Sequence, residues 1–227
     1  MHVLLFDIDG TLISTGGAGK LAFERALADQ FHIDAIDSEV PFAGRTDRAI
    51  VGDLFRCHGI ADSEESWHQF LASYLTHLRP ALHECRGRVL PGMSELIEEV
   101  APRKDVLLGL LTGNVERGGR MKLAHYGLVE AFAFGGFGDH CIERNDVAAA
   151  ALEAARRHAQ APPEELDVYV IGDTPHDVRC GQSIGAKVIA VATGGTTAAE
   201  LQAAGADVVY EDLSDVRPVL AMLEAKS

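Results

Sequence analysis

Two aspartates two positions apart follow the first apolar run of the chain, residues 3–6. Residues i and i+2 of an extended segment point to the same side, so Asp7 and Asp9 can address one small volume before Gly10 lets the backbone turn. Two such acids repel unless a cation lies between them, which predicts a hard metal ion such as Mg²⁺ and one carboxylate free to react. An ordinary strand end with turn-capping aspartates is the alternative for this pair alone.

A second polar cluster, Thr112-Gly113-Asn114, follows the apolar run 106–111. A threonine hydroxyl and free backbone N–H groups at a strand end can hold phosphoryl oxygens, and Asn114 is predicted to cap the next helix. The same residue types are common at ordinary turns between a strand and a helix. This cluster therefore supports a phosphate-binding site only because it follows Asp7 in the chain.

A third cluster contains Asp173 and Asp177 and follows the apolar run 168–171. Thr174, Pro175 and Asp177 form the signature of a helix start, with an N-cap, a proline at the first position and an acid at the third. Asp173 has no such duty, and a carboxylate at the rim of a parallel sheet is well placed for a metal. Asp177 is predicted to serve both the cap and the site.

The elements that must position these clusters alternate regularly after residue 89. The pattern predicts a doubly wound parallel sheet, an α/β fold. Strands are expected at 106–111, about 132–134, 168–171, 188–191 and 208–210. Helices are expected at about 115–126, 146–159, 175–184 and 198–204, and from 216 onwards.

An insertion separates the first strand from the rest of the sheet. Asp7 and Thr112 lie 105 residues apart, whereas a βαβ unit needs only about 30. The intervening residues favour helices at about 20–31, 46–57 and 63–78, and the apolar stripe of the last one is interpreted as core. Residues 16–88 are thus predicted to form a second, helical module inserted into a core of residues 1–15 and 89–227.

The three clusters occur in an order that resembles the haloacid dehalogenase-like (HAD) hydrolase superfamily. The matching residues are Asp-Ile-Asp-Gly-Thr-Leu from Asp7, Leu-Thr-Gly-Asn ending at Asn114, and Gly-Asp-x-x-x-Asp ending at Asp177. The inserted helices resemble the cap of phosphoglycolate phosphatase-like and β-phosphoglucomutase-like members. The resemblance covers the whole chain and implies a Rossmann-like core with an α-helical cap.

The resemblance also implies a division of labour between the acids. Asp7 would attack phosphorus to form an aspartyl-phosphate, and Asp9 would protonate the leaving oxygen and then activate water. Mg²⁺ would be held by the Asp7 carboxylate, the Asp9 carbonyl oxygen and Asp173, with Asp177 as a ligand or an outer acceptor. Thr112 would assist at the phosphoryl group.

One position departs from the family pattern. Members usually carry a lysine near the start of the helix before the last catalytic strand, but residues 139–146 contain no lysine and Arg144 occupies the matching place. Arginine binds phosphate in bidentate fashion, so Arg144 is predicted to take the catalytic role. A surface arginine at a helix start is the alternative.

Substrate contacts are expected from the core motifs and from the cap. Gly10, Gly113 and Asn114 are candidates in the core. In related caps the loop that corresponds to residues 44–47 points into the active site, so Arg45 is the candidate for the non-reacting end of the substrate, with Thr46 beside it. A solvated helix start is an equally simple interpretation of Arg45.

Composition limits the partners of the protein. The chain has 227 residues, 47% of them hydrophobic, and a net charge of −14, which argues against general affinity for nucleic acid or anionic membranes. Four cysteines without a Cys-x-x-Cys pair favour reduced thiols and a cytoplasmic location. The expected partner is a small phosphate ester, and a monomer and a homodimer both fit.

The motifs predict a magnesium-dependent phosphatase that hydrolyses a small organic phosphate monoester through an aspartyl-phosphate. A phosphomutase of the β-phosphoglucomutase type would share nearly every motif. A non-catalytic phosphate-sensing protein on the same fold is a further alternative. The residues predict the reaction better than they predict which ester is the substrate.

Overall fold

A six-stranded parallel sheet lies at the centre of the protein. The structure is a computed structural model that describes residues 1–33, 35–36, 40–159, 162 and 165–224. The sheet strands are β1 (His2–Phe6), β4 (Val106–Leu111), β5 (Phe134–Gly136), β6 (Asp167–Gly172), β7 (Lys187–Val191) and β8 (Val208–Tyr210), in the order β5-β4-β1-β6-β7-β8. The predicted doubly wound α/β fold is confirmed.

Helices cover both faces of this sheet, so its central strands are apolar on both sides. In β1, Leu4 and Phe6 join one buried cluster, whereas Val3 and Leu5 join the cluster on the opposite face. This alternation follows from the two-residue period of a strand. The helices from residue 93 onwards are α4 (Met93–Val100), α5 (Glu116–His125), α6 (Arg144–Ala159), α7 (Pro175–Ser183), α8 (Ala198–Ala203) and α9 (Arg217–Glu224).

Three helices between β1 and α4 form a separate apolar layer, called here the helical segment. They are α1 (Ala18–Phe31), α2 (Asp47–Cys57) and α3 (Glu64–Glu84). Their buried faces share one cluster, in which Phe23 makes edge contacts with Phe70 and Tyr74. The predicted stripe along α3 is confirmed as core, since Trp67, Phe70, Tyr74, Leu75 and Leu78 are buried.

The chain enters and leaves the helical segment side by side. Two short strands, β2 (Ile13–Ser14) and β3 (Arg88–Val89), pair in antiparallel fashion, with Ile13 opposite Val89. This small sheet is separate from the large one. It fixes where the helical segment joins the core.

Several predicted boundaries shift by one or two residues, and two of the differences have a clear physical reason. The edge strand β5 begins at Phe134 rather than near Phe132, because a short 3₁₀-helix occupies Val129–Ala131 and Phe132 is buried beside β1. Helix α3 continues past Leu78 and through Pro80. Burial of Ala81 and Leu82 offsets the loss of the backbone hydrogen bond that the proline cannot make.

Among the described residues, no helix is both long and apolar enough to cross a membrane.

Candidate active site

The carboxyl ends of three neighbouring strands bring the predicted clusters together. Phe6 of β1 is paired with Leu110 of β4 on one side and with Ile171 of β6 on the other. Asp7, Thr112 and Asp173 therefore follow adjacent strands at one edge of the sheet. This edge, next to the central strand, is where parallel α/β folds commonly bind ligands.

Three carboxylates form a compact buried cluster at this edge. One oxygen from each of Asp7, Asp173 and Asp177 lies within 4.8 Å of the others. Burial, assisted by the neighbouring acids, raises the pKa of Asp7 to about 7 and that of Asp173 to about 8. Three crowded carboxylates are a donor set that fits a hard divalent cation such as Mg²⁺, since such a charge would offset both burial and repulsion.

The tight surroundings of Asp173 support the same interpretation. Gly10 has a φ of +83°, and a side chain at this position would collide with the Asp173 carboxylate. Gly194 likewise leaves no room for a side chain beside this carboxylate. The Thr11 hydroxyl donates a hydrogen bond of 3.0 Å to Asp173 Oδ1. Asp173 is thus held in place by the turn that follows β1.

Arg144 is buried at the start of α6, inside the acid cluster rather than on the surface. Its guanidinium group donates a very short hydrogen bond to Asp177 and lies 3.6 Å from Asp7. Asp177 also forms the predicted capping box with Thr174, so its two carboxylate oxygens serve different partners. The structure therefore brings Arg144 together with Asp7 and Asp177, next to the acids where the family resemblance predicts a positive charge.

Asp9 lies beside this cluster and is bound by a residue that sequence analysis missed. Lys122 of α5 donates a hydrogen bond of 2.6 Å to Asp9 Oδ2, and Asn114 donates one of 2.8 Å to the same oxygen. Lys122 also donates to Asn114 Oδ1 at 2.6 Å. The Asp9 side chain is 40% exposed, whereas that of Lys122 is only 6% exposed.

Lys122 remains charged despite its burial. Burial alone lowers the pKa of Lys122, but the carboxylates of Asp9 and Asp47 outweigh it and raise the pKa overall. A signal for this residue exists in the sequence. Gly118, Gly119 and Leu123 form the buried stripe of α5, and Lys122 lies on that stripe, where an unpaired lysine would be costly.

The prediction that Asn114 caps α5 is wrong. Val115 is the N-cap residue and makes no side-chain capping bond. The Asn114 amide is instead used by Asp9, Lys122 and Thr112, whose hydroxyl accepts a hydrogen bond of 2.8 Å from it. Carboxylates from elsewhere satisfy the free N–H groups of this helix start. Asp47 accepts from Val115 N and Asp139 accepts from Glu116 N, each at 2.8 Å.

The loop before α2 rests directly on the core. Gly113 is covered by the backbone oxygen of Arg45, and the Asp47 N–H donates to Gly113 O at 2.7 Å. Thr46 is fully buried, and its hydroxyl caps α2 and donates to Ile142 O. The structure thus places Thr46 at a contact between the loop and the core, not at the cavity wall.

Arg45 does lie at the cavity, but it already has partners. Its guanidinium group forms an ion pair of 2.8 Å with Asp53 and donates to Pro41 O at 3.2 Å. Thr112 is fully buried, and its hydroxyl faces Asn114. These two residues therefore have established contacts within the protein.

A cavity of about 720 Å³ lies between the sheet edge and the helical segment. Core residues in its wall are Asp7, Asp9, Gly10, Gly113, Asn114, Lys122, Arg144, Asp173, Thr174, Gly194 and Gly195. The helical segment and its connections add Thr15, Gly17, Gly19, Lys20, Phe23, Val40, Phe42, Ala43, Gly44, Arg45, Asp47, Ile50 and Tyr74. The acids and a largely apolar surface thus share one chamber.

Known proteins similar to this chain include phosphate-processing enzymes and other hydrolases. The chain is 26% identical over 231 residues to the pyrophosphatase PpaX of Bacillus mycoides (strain KBAB4), with 98% of each protein covered. A hydrolase from Pseudomonas syringae has a similar structure, with a TM-score of 0.70 and 23% identity over 98% of this chain and 99% of that one.

A second solved structure is CbbY from Rhodobacter sphaeroides in complex with phosphate. It has a TM-score of 0.73 and 20% identity, with 94% of this chain and 95% of that chain covered. At these identities, the structural matches establish the fold. The family model for haloacid dehalogenase-like hydrolases matches residues 4–182, most of the chain. The protein therefore belongs to the haloacid dehalogenase-like hydrolase family.

Proposed function

We propose that this protein is a magnesium-dependent phosphatase that hydrolyses a small organic phosphate monoester. The observation that carries the proposal is the buried cluster of Asp7, Asp173 and Asp177 around Arg144, with the half-exposed Asp9 beside it. A nucleophile, a cation site, a fixed positive charge and an acid–base group are the parts that phosphoryl transfer needs. The pyrophosphatase relative and the phosphate-bound structure support a phosphorylated ligand.

The metal site is assigned to residues of the core. The carboxylates of Asp7, Asp173 and Asp177 would hold Mg²⁺, together with the Asp9 carbonyl oxygen that the family motif implies. When bound, Mg²⁺ would withdraw charge from the phosphoryl oxygens and relieve the repulsion among the acids. Asp177 already bonds to Arg144 and Thr174, which suits an outer role better than a direct one.

The reaction itself begins at Asp7. One oxygen of its carboxylate attacks phosphorus, and the bond between phosphorus and the ester oxygen breaks. Asp9 gives its proton to that oxygen, so the leaving group departs as an alcohol. Water then attacks the aspartyl-phosphate while Asp9 accepts a proton from it, which releases phosphate and restores Asp7. Arg144, 3.6 Å from Asp7, offsets the negative charge during both steps.

Lys122 and Asn114 orient Asp9 for these proton transfers. Both donate to Oδ2 of Asp9, so Oδ1 is the oxygen left to face the substrate. Because Lys122 is almost completely buried, the orientation comes from the core rather than from solvent. Lys122 is therefore a positioning residue in this proposal.

The helical segment acts as the substrate-facing cap of the enzyme. We assign residues 1–15 and 89–227 to the core domain and 16–88 to this cap domain. Helices α1–α3 have their own apolar cluster, and the chain crosses to and from them at the β2–β3 pair. The cap closes the cavity over the acids and reduces contact with bulk solvent, which strengthens the electrostatic interactions of the charged side chains with the phosphoryl group. The partner is a small phosphate ester.

The proposal is tested by assaying p-nitrophenyl phosphate and a panel of phosphate monoesters with and without Mg²⁺. Asp7→Asn should abolish turnover because the amide is a poor nucleophile, and chelation of the metal should do the same. Asp215→Asn, which changes an exposed aspartate before α9, is the matched control and should retain activity. Metal-independent turnover, or full activity of Asp7→Asn, contradicts the mechanism.

A further inference from the structure

The cap side of the cavity differs chemically from the core side. Its wall includes the apolar side chains of Phe23, Val40, Phe42, Ile50 and Tyr74. They form part of the buried cluster of the helical segment or pack against it. A monoester with its phosphoryl group at the acids would extend its leaving group toward this surface. Contact with an apolar surface favours an apolar leaving group.

Tyr74 lines this wall, but its hydroxyl is buried behind the cavity surface. The side chain is 1% exposed, and its hydroxyl has no hydrogen-bond partner in the part of the chain that the structure describes. Burial raises the pKa of Tyr74 well above its ordinary value, so the hydroxyl is protonated and can donate. Because the hydroxyl is inaccessible, the surface that Tyr74 offers to the cavity is its aromatic ring.

The cations of the wall are committed to other groups. Arg45 pairs with Asp53 at 2.8 Å, and Lys122 is held by the contacts described above. Lys20 is 59% exposed and is thus mostly in solvent. Arg144 serves the phosphoryl end. Among the described wall residues, none therefore offers a buried, unpaired positive charge to a second phosphate or to a carboxylate.

The cavity volume points in the same direction. About 720 Å³ lies within the range of sites for organic ligands, roughly 300–1,000 Å³. A chamber of this size with an apolar half suits a leaving group larger than a second phosphate. The apolar wall, and the pairing of the wall cations with other groups, distinguish this site from one that binds pyrophosphate.

We propose that the substrate's leaving group is uncharged, with an apolar body that contacts Phe42 and its neighbours. This inference rests on the proposed phosphatase function and adds its substrate class. It makes Phe42 a specificity-determining residue.

The first test is a series of straight-chain alkyl phosphates from ethyl to hexyl, assayed as kcat/KM with Mg²⁺. Burial of each additional methylene should raise kcat/KM about fourfold until the wall is filled. Pyrophosphate and phosphoglycolate should be poorer substrates than hexyl phosphate. A flat series, or a preference for either of the two charged compounds, would overturn the inference.

Phe42→Ala tests the wall, with Phe31→Ala as its matched control. Both phenylalanines are partly buried in the helical segment and contact another phenylalanine ring, but only Phe42 lies in the described cavity wall. Phe42→Ala should flatten the chain-length series, whereas Phe31→Ala should leave it steep. If p-nitrophenyl phosphate is not hydrolysed with Mg²⁺, the function itself fails; if it is hydrolysed and the series is flat, only this inference fails.

Discussion

Replacement of Lys122 by methionine separates the positioning of Asp9 from the other parts of the mechanism. The substitution keeps most of the side-chain volume but removes both hydrogen bonds of 2.6 Å, to Asp9 and to Asn114. Because the Asp9 side chain is 40% exposed, water can replace one of these bonds. We therefore expect a loss of about 1–3 kcal/mol in the free energy of unfolding, which corresponds to roughly 2–12 °C in Tm for a chain of this size.

The effect on activity should depend on the leaving group. General acid catalysis contributes about 10²–10⁴-fold where the leaving oxygen needs a proton, and a misplaced Asp9 should forfeit part of that. We expect kcat/KM of Lys122→Met to fall about tenfold or more for an alkyl phosphate. For an aryl phosphate such as p-nitrophenyl phosphate, whose leaving oxygen is stable without a proton, it should fall less than about threefold.

Four further variants complete this experiment. Lys104→Met removes an exposed lysine from the turn before β4 and should change neither substrate. Lys122→Arg retains the charge and should recover part of the loss on the alkyl phosphate. Asp9→Asn should show the same dependence on leaving group, and adding Lys122→Met to it should cause little further loss. An equal loss on both substrates would refute the positioning role and leave a structural one.

Three other outcomes follow from the site. Arg144→Lys keeps the charge beside Asp7 but cannot serve two carboxylates equally, so kcat/KM should fall about tenfold, against about a hundredfold or more for Arg144→Met; equal losses would contradict this. The raised pKa of Asp47, about 6 against 3.8, means that its contribution to stability is present below pH 3.8 and is lost as pH rises through 6. The stability of Asp47→Asn relative to wild type, from denaturant unfolding, should accordingly increase by up to about 3 kcal/mol over that range; a constant difference would show that Asp47 is not buried as described. Mg²⁺ at a hundredfold excess over its Kd should stabilise the wild type by about 2.7 kcal/mol in thermal unfolding, and an equal shift in Asp173→Asn would place the metal elsewhere.

The sheet and the edge that carries the candidate site could be predicted from the sequence because they depend on local patterns. Apolar runs of strand length predicted β4 and β8 at their observed bounds. Since parallel strands present their carboxyl ends at one edge, three polar clusters that follow such runs had to meet. Asp7 and Asp173 therefore lie together because each follows a strand of the same parallel sheet.

The hydrogen-bond network around Asp9 could not be predicted from such local patterns. Asn114 has the ordinary sequence signature of a helix cap, yet its amide is drawn to Asp9 and Lys122, which come from a different strand end and a helix face. The helix start that it leaves is capped by Asp47, far away in the sequence. These hydrogen bonds depend on how the helical segment packs against the core, and no local sequence pattern predicts that contact.

The antiparallel pair of β2 and β3 has a consequence for how the chain can be rearranged. Ser14 and Arg88 stand opposite each other, and paired residues of antiparallel strands have Cα atoms about 5 Å apart. A two-residue turn spans that gap. The helices between these two positions could thus be excised, or exchanged for a different domain, while the six-stranded sheet keeps its order and its connections.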